Sequence, residues 1–140
     1  MHKLFSTAPI LLTAGLTFIR IIVGLFLIYH GWEVFDKDKI NEYITWDVFK
    51  SSSSPSVMVY LGKGSELVAG FLLFFGLLTR VAAIIMVLTF LYISFFVGHG
   101  KIWYEDQYPF LFALFGCLFF FTGPGPLSID QLIFMRTKHG

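Results

Sequence analysis

Two charged side chains sit inside long apolar stretches. Arg20 lies in TFIRIIVGLFLIYHG and Glu66 in GKGSELVAGFLLFFG. A charge held at mid-bilayer costs about 2.5–3.5 kcal/mol on insertion scales. If both stretches cross a membrane, the two are expected to pair. Counting from the outer ends of antiparallel first and second spans puts Arg20 roughly 22 Å deep and Glu66 roughly 14 Å deep, at 1.5 Å per residue. The gap of about 8 Å is within reach of two long side chains. Arg20 and Gly24 are four apart, and Gly62, Glu66 and Gly70 follow one another at i+4, so both charges face a helix–helix contact. Two readings stay open: an ion pair that fixes packing, or a polar centre that holds a ligand or relays protons. Lys63, three residues before Glu66, competes for that carboxylate or snorkels to the surface.

His30 and His99 form a second group. Each is followed by glycine, with Glu33 and Trp32 near the first and Glu105 and Trp103 near the second. Imidazole titrates near neutrality and can donate, accept or ligate. A histidine–carboxylate pair beneath an aromatic rim suits a quinone, whose ring stacks and whose carbonyl takes a hydrogen bond and then a proton. Bis-histidine haem ligation by His30 and His99 is the metal-centred alternative, and ordinary interfacial snorkelling is the structural one. The ligand-binding candidates are therefore Arg20, His30, Trp32, Glu33, Glu66, His99, Trp103 and Glu105.

The elements that must position these groups follow from composition. Of 140 residues, 56% are hydrophobic and 14% charged, against about 25% charged in soluble domains. A soluble fold this small buries too little of its surface to hide that much apolar area, so lipid must cover the rest. Helix is the state that satisfies backbone groups in hydrocarbon, and continuous apolar runs lack the alternation of a membrane barrel. The expected fold is all-α: a single integral membrane four-helix bundle with antiparallel up-down spans at about 10–35, 56–78, 81–98 and 106–122. An outer loop covers 36–55 and a cytoplasmic tail 123–140. Thr79 and Arg80 are expected to be the whole turn between the second and third spans. Within the outer loop Ile40, Tyr43, Ile44, Val48 and Phe49 recur at near-helical spacing, which predicts an amphipathic surface helix. The apolar N-terminal stretch is too long for a signal core and is expected to be retained.

Charge sets the orientation. The side with both termini and the Arg80 turn carries Lys3, Arg80, Arg136 and Lys138 against Asp130. The two long connections carry four lysines against six acids. Positive-inside bias then places both termini in the cytoplasm and the protein in the cell inner membrane. A net charge of +1 gives no case for nucleic acid. The lone Cys117 excludes an intramolecular disulfide and a CxxC pair. The first span ends His-Gly-Trp-Glu and the third His-Gly followed by Trp-Tyr-Glu, which is either a two-hairpin pseudo-repeat or interface composition alone.

The chain resembles the DoxX family of small four-helix membrane proteins. The resemblance rests on RIIVGLFLIYHG from Arg20, on GSELVAGFLLFFGLLTRVAA from Gly64, on His99-Gly100 and on GPGPLSIDQLI from Gly123. The run Glu66, Gly70, Gly76, Thr79, Arg80 is its most specific part. Some DoxX-like proteins are subunits of a thiosulfate:quinone oxidoreductase, others belong to membrane redox or oxidative-stress systems, and distant relatives act as assembly factors or cargo receptors. The resemblance carries Arg20, His30, Glu66 and His99 over as functional positions. The cysteine pairs of a related redox group are missing, which argues against dithiol exchange by this chain alone. The expected function is a quinone- or small-lipophile-binding subunit of a membrane redox system, whose partners are the lipid bilayer and other membrane subunits or further copies of itself. The alternative is a non-enzymatic scaffold or assembly subunit. A transporter is less favoured, because no discontinuous helix is evident.

Overall fold

The structure, a computed structural model, describes residues 11–136. Lys3 and Lys138, which enter the charge count, and the outer ends of the expected first span and tail lie outside the described residues. Among the described residues there is helix and no strand. The first helix, α1 (Leu12–Gly31), runs on into a 3-10 turn at Trp32–Phe35. Two short helices follow, α2 (Lys37–Ile44) and α3 (Asp47–Lys50). Then come α4 (Pro55–Phe75), α5 (Thr79–Tyr92) with a π turn at Ile93–Val97, α6 (Gln107–Thr122) and α7 (Ile129–Arg136). Three of these, Leu12–Phe35, Pro55–Phe75 and Thr79–Val97, are long and apolar enough to cross a membrane. α6 is apolar but shorter.

Helix boundaries follow local chemistry. Asp36 starts α2 by accepting from the amides of Asp38 at 3.0 Å and Lys39 at 3.2 Å. Pro55 occupies the first turn of α4, where its missing N–H costs nothing. Gly76 ends α4 at φ 64°, in the left-handed region. The turn to α5 is Gly76–Leu78, so Thr79 and Arg80 stand in the helix, not in the expected two-residue link.

Packing within the helix pairs relies on small residues. A Cβ added to Gly24 would meet Phe74, one on Gly70 would meet Ile28, and one on Gly31 would meet Leu67. The order of these contacts reverses from one helix to the other. α5 and α6 pair in the same manner, with Gly116 against Ala83 and Val87, and Phe90 stacked on Phe112 at 5.0 Å between centroids. Close backbone approach is how helices gain van der Waals contact when lipid is as apolar as their own side chains. Val23 and Leu27 of α1, Leu73 of α4, Met86 and Phe90 of α5 and Phe119 of α6 share one buried core. A second, smaller core joins Ile40 of α2, Phe49 of α3 and Val59 of α4. It seats the predicted amphipathic segment, formed as two short helices, on the first turns of α4.

This register overturns the expected Arg20–Glu66 pair. The three glycine contacts pair residues whose numbers add to 98, which puts Glu66 opposite residue 32 and Arg20 opposite residue 78. The two charges are then about 18 Å apart along the bundle, at 1.5 Å per residue. The count from sequence assumed that α1 and α4 begin level. Instead the first turns of α4 stand beyond Phe35 and pack against α2 and α3.

Candidate functional site

The end of the molecule that carries α2 and α3 gathers a compact polar group. Lys63 Nζ lies 2.9 Å from Glu33 Oε2 and 3.2 Å from Glu66 Oε2. The Tyr43 hydroxyl donates to the same Glu33 oxygen at 2.7 Å. Lys63 Nζ also stands 5.1 Å from the Tyr43 ring centroid and donates to the His30 carbonyl at 3.5 Å. One ammonium is thus bracketed by two carboxylates, a phenol ring and a backbone carbonyl. The Tyr43 phenol is held well above its ordinary range by burial first, and then by its hydrogen bond to Glu33 and that carboxylate's charge. Glu66 is buried and Lys63 largely so. Such a pair is expensive to break, because removing one member strands the other in low dielectric.

Beside this group opens a cavity of about 530 Å³. Its polar end is Lys63, Ser65 and Glu66, with His30 at the rim. Phe90 and Phe112, stacked on each other, line it together with Ile93 and Val97, and Tyr43, Trp46 and Phe49 line its α2–α3 end. The volume is within the range of about 300–1,000 Å³ typical of small-molecule sites, and an apolar lining with a few convergent polar groups is their usual make-up. Gly62 also lines the cavity, and a Cβ placed on it would meet nothing within 4 Å. The π turn supplies Ile93 and Val97. It is anchored where the buried Ser94 hydroxyl donates to the Phe90 carbonyl at 2.8 Å. Single π turns widen a helix locally and are frequent at functional sites.

The candidates read from sequence divide into three sets, with Trp32 apart from all of them. His30, Glu33 and Glu66 come together, joined by Lys63 and Tyr43. The sequence places Tyr43 on an amphipathic stripe and offers Lys63 either to Glu66 at i,i+3 or to the surface, and the structure takes the first. The signal for Tyr43 was that stripe, since a residue facing the bundle from α2 must face whatever α1 and α4 present. Arg20 belongs to the opposite end. It is 1% exposed and donates from Nη2 to the Leu127 carbonyl at 2.9 Å, with Asp130 acting on it as a counter-charge. There the GPGPLSID segment docks: the Thr17 hydroxyl donates to the Pro126 carbonyl at 3.0 Å. The Asp130 carboxylate accepts from the Leu78 and Thr79 amides at 2.6 and 2.8 Å, and the Asp130 amide donates to the Gly76 carbonyl at 2.9 Å. Asp130 therefore caps α5 from across the turn.

His99, Trp103 and Glu105 form the third set, in the loop before α6, and none of them lines the cavity. Trp103 is 90% exposed, and Glu105 pairs with Lys101 at 3.1 Å. The His99 backbone amide donates to Asp106 Oδ2 at 2.9 Å, and the Lys101 amide donates to the same oxygen at 2.8 Å. Buried Asp106 thus organises this loop, and it packs against Gly98 too closely for any side chain there. Trp32 is exposed and meets Phe35 edge-on at 5.2 Å. With His30 on the cavity and His99 off it, the two imidazoles of the haem alternative do not share this site. Among the described residues, no group of three or more His, Cys, Asp or Glu could hold a metal ion.

The family model described as DoxX matches residues 15–99, a span that includes Arg20, His30, Glu33, Lys63, Glu66 and His99. The chain belongs to the DoxX family. A Bacillus subtilis (strain 168) protein named "Putative oxidoreductase CatD" is 28% identical to this DoxX chain over 141 residues, covering 100% of the chain and 97% of the relative. An uncharacterized protein of Haemophilus influenzae is 27% identical over 131 residues, covering 86% of the chain and 92% of the relative. No solved structure matches the chain.

Proposed function

We propose that this DoxX-family protein is a quinone- or small-lipophile-binding subunit of a membrane redox system, and that its site is the cavity between α4, α5 and α6. The observation that carries the reading is the cavity of about 530 Å³ with Lys63 and Glu66 at its polar end and aromatic rings lining it. The "oxidoreductase" in the Bacillus relative's name points to the same class of chemistry. An aromatic-walled slot takes a flat ring by stacking, and an ammonium beside a carboxylate offers a donor and a proton reservoir to a ring carbonyl. Reducing a quinone to a quinol takes two electrons and two protons. This chain's residues account for binding and for proton supply, while the electrons come from an electron-donor subunit.

The reading includes the architecture around the site: a four-helix antiparallel bundle in which α6 is the fourth span, set in the cell inner membrane with the α4–α5 turn toward the cytoplasm. Net charge supports this orientation: Arg80 borders that turn, while the two connections at the other end carry six acids against four lysines, Lys37, Lys39, Lys50 and Lys101. The test is a titration of purified protein in lipid nanodiscs with a short-chain benzoquinone, followed by quenching of tryptophan fluorescence from Trp46 at the α2–α3 end of the cavity. Saturable quenching that is lost on Glu66→Gln supports the site. No saturable signal in the wild-type protein would leave a scaffold subunit as the surviving reading.

A further inference from the structure

The cavity has a mouth, and its position says where the ligand comes from. Two residues that line it, Leu61 of α4 and Leu88 of α5, are also strongly exposed, at 69% and 65%. Both stand on helices long and apolar enough to span a membrane. The mouth therefore opens through the seam between α4 and α5 onto the face that lipid covers. The Gly76–Leu78 turn fixes its depth. Glu66 lies ten residues before that turn and Leu88 ten residues after it, so both are about 15 Å from it along the helices. Leu61 lies fifteen residues before the turn, about 22 Å from it, so the opening spans the levels of Lys63, Ser65 and Glu66, partway along the helices. At the α2–α3 end Phe49 is buried in the small core with Ile40 and Val59, while Trp46 and Tyr108, which also line the cavity, are 42% and 75% exposed.

Resting on the reading that this cavity binds a quinone-class head, we propose that its ligand is a tailed, membrane-resident lipid that enters sideways from the bilayer. The ring sits against Lys63 and Glu66, and the hydrocarbon tail leaves between Leu61 and Leu88 into lipid. A chain of methylenes needs an apolar exit, and this seam is apolar on both sides. A head bearing carbonyl oxygens needs donors at the depth where the tail turns inward, and Lys63 with Ser65 supplies them at that level. The absence of a side chain at Gly62, which faces open cavity, leaves room for the ring to turn from the seam toward Lys63.

The test compares two ligands with one headgroup, a benzoquinone without a tail and the same ring with a decyl tail, on full-length protein in phosphatidylcholine–phosphatidylglycerol nanodiscs. Leu61→Trp with Leu88→Trp narrows the seam at positions that already face lipid. The expected result is a loss of about tenfold or more in affinity for the tailed compound with less than about twofold change for the tail-less one. In the unaltered protein, a photoreactive diazirine at the tail end should label the lipid-facing residues of α4 and α5, and one on the ring should label residues around Lys63. Equal losses for both compounds, or a tail-end label on Trp46 and Phe49, would overturn sideways entry while leaving the quinone site standing. Failure of both compounds to bind the unaltered protein would remove the site itself.

Discussion

Lys63 reaches Glu66 at 3.2 Å from one turn away on the same helix, and its ammonium touches Glu33 at 2.9 Å on the other side. A cation shared by two carboxylates is the link between α4 and the end of α1, so its removal should be felt well beyond the cavity. Lys63→Met leaves Glu33 and Glu66 without their cation in a buried setting. The expected cost is about 3 kcal/mol, at the lower end for breaking a buried pair because Lys63 retains some exposure. Thermal unfolding of detergent-solubilised protein by circular dichroism measures it. Adding Glu66→Gln to Lys63→Met should recover more than half of the loss, and a purely additive double variant would show that the pair is not coupled.

Tyr43 fastens α2 to Glu33 through the 2.7 Å hydrogen bond. Its phenol is raised in the folded protein, by burial and then by Glu33. The folded state therefore holds the phenolic proton to higher pH than the unfolded chain does. The stabilisation is complete below the ordinary tyrosine value of about 10 and is lost as pH rises above it. Tyr43→Phe should destabilise the protein by about 1 kcal/mol at neutral pH. The gap between the two proteins should shrink in unfolding curves taken at increasing pH above about 10. A gap that stays constant across that range would contradict the role given to the phenol.

Asp130 binds the far end of the molecule by the same economy, one side chain for two orphan amides. Asp130→Ala removes the acceptors of Leu78 N–H and Thr79 N–H and takes a counter-charge from buried Arg20. The expected loss is about 2–3 kcal/mol, from a lost cap and a less compensated charge. Amide hydrogen exchange should quicken at the start of α5 and leave the start of α4 unaltered. Asp130→Asn keeps one acceptor oxygen and should fall between the two.

Much of this fold is legible in the residue order. The charge-free run from Val81 to Val97 is helical throughout, as α5 and its π turn, and the apolar spacing of Ile40, Tyr43, Ile44 and Phe49 marks the pieces that seat on α4. What is illegible is register. Two spans can be counted, but the level at which they meet is set by the glycines that let Gly24 approach Phe74 and Gly31 approach Leu67. Those contacts slide α4 outward by several residues and trade Arg20 for Lys63 as the partner of Glu66. Asp106 and Asp130 enter the sequence as loop charges, yet both are buried hydrogen-bond hubs. Nothing in their spacing distinguishes a carboxylate that faces water from one that gathers backbone amides. The resemblance of GPGPLSIDQLI to the family pattern flagged the Asp130 segment, and the structure supplies its reason.

The glycines of α4 offer the sharpest separation between packing and binding. Gly70 lies against Ile28 of α1, and a methyl group there must push the helices apart. Gly70→Ala should lower stability by about 1–3 kcal/mol, as overpacking does. Gly62 and Gly64 have no atom within 4 Å of a Cβ, and replacing either should stabilise the helix by a few tenths to about 1 kcal/mol. Of these two, only Gly62 lines the cavity. Gly62→Leu should therefore fold at least as well as the parent while its side chain fills space meant for a ring. Short-chain benzoquinone affinity should drop about tenfold or more, and Gly64→Leu should leave it unchanged. If Gly62→Leu bound the quinone as well as the parent did, with its helix intact, the ring would have to sit elsewhere, and the cavity beside Lys63 and Glu66 would lose its claim to be the site.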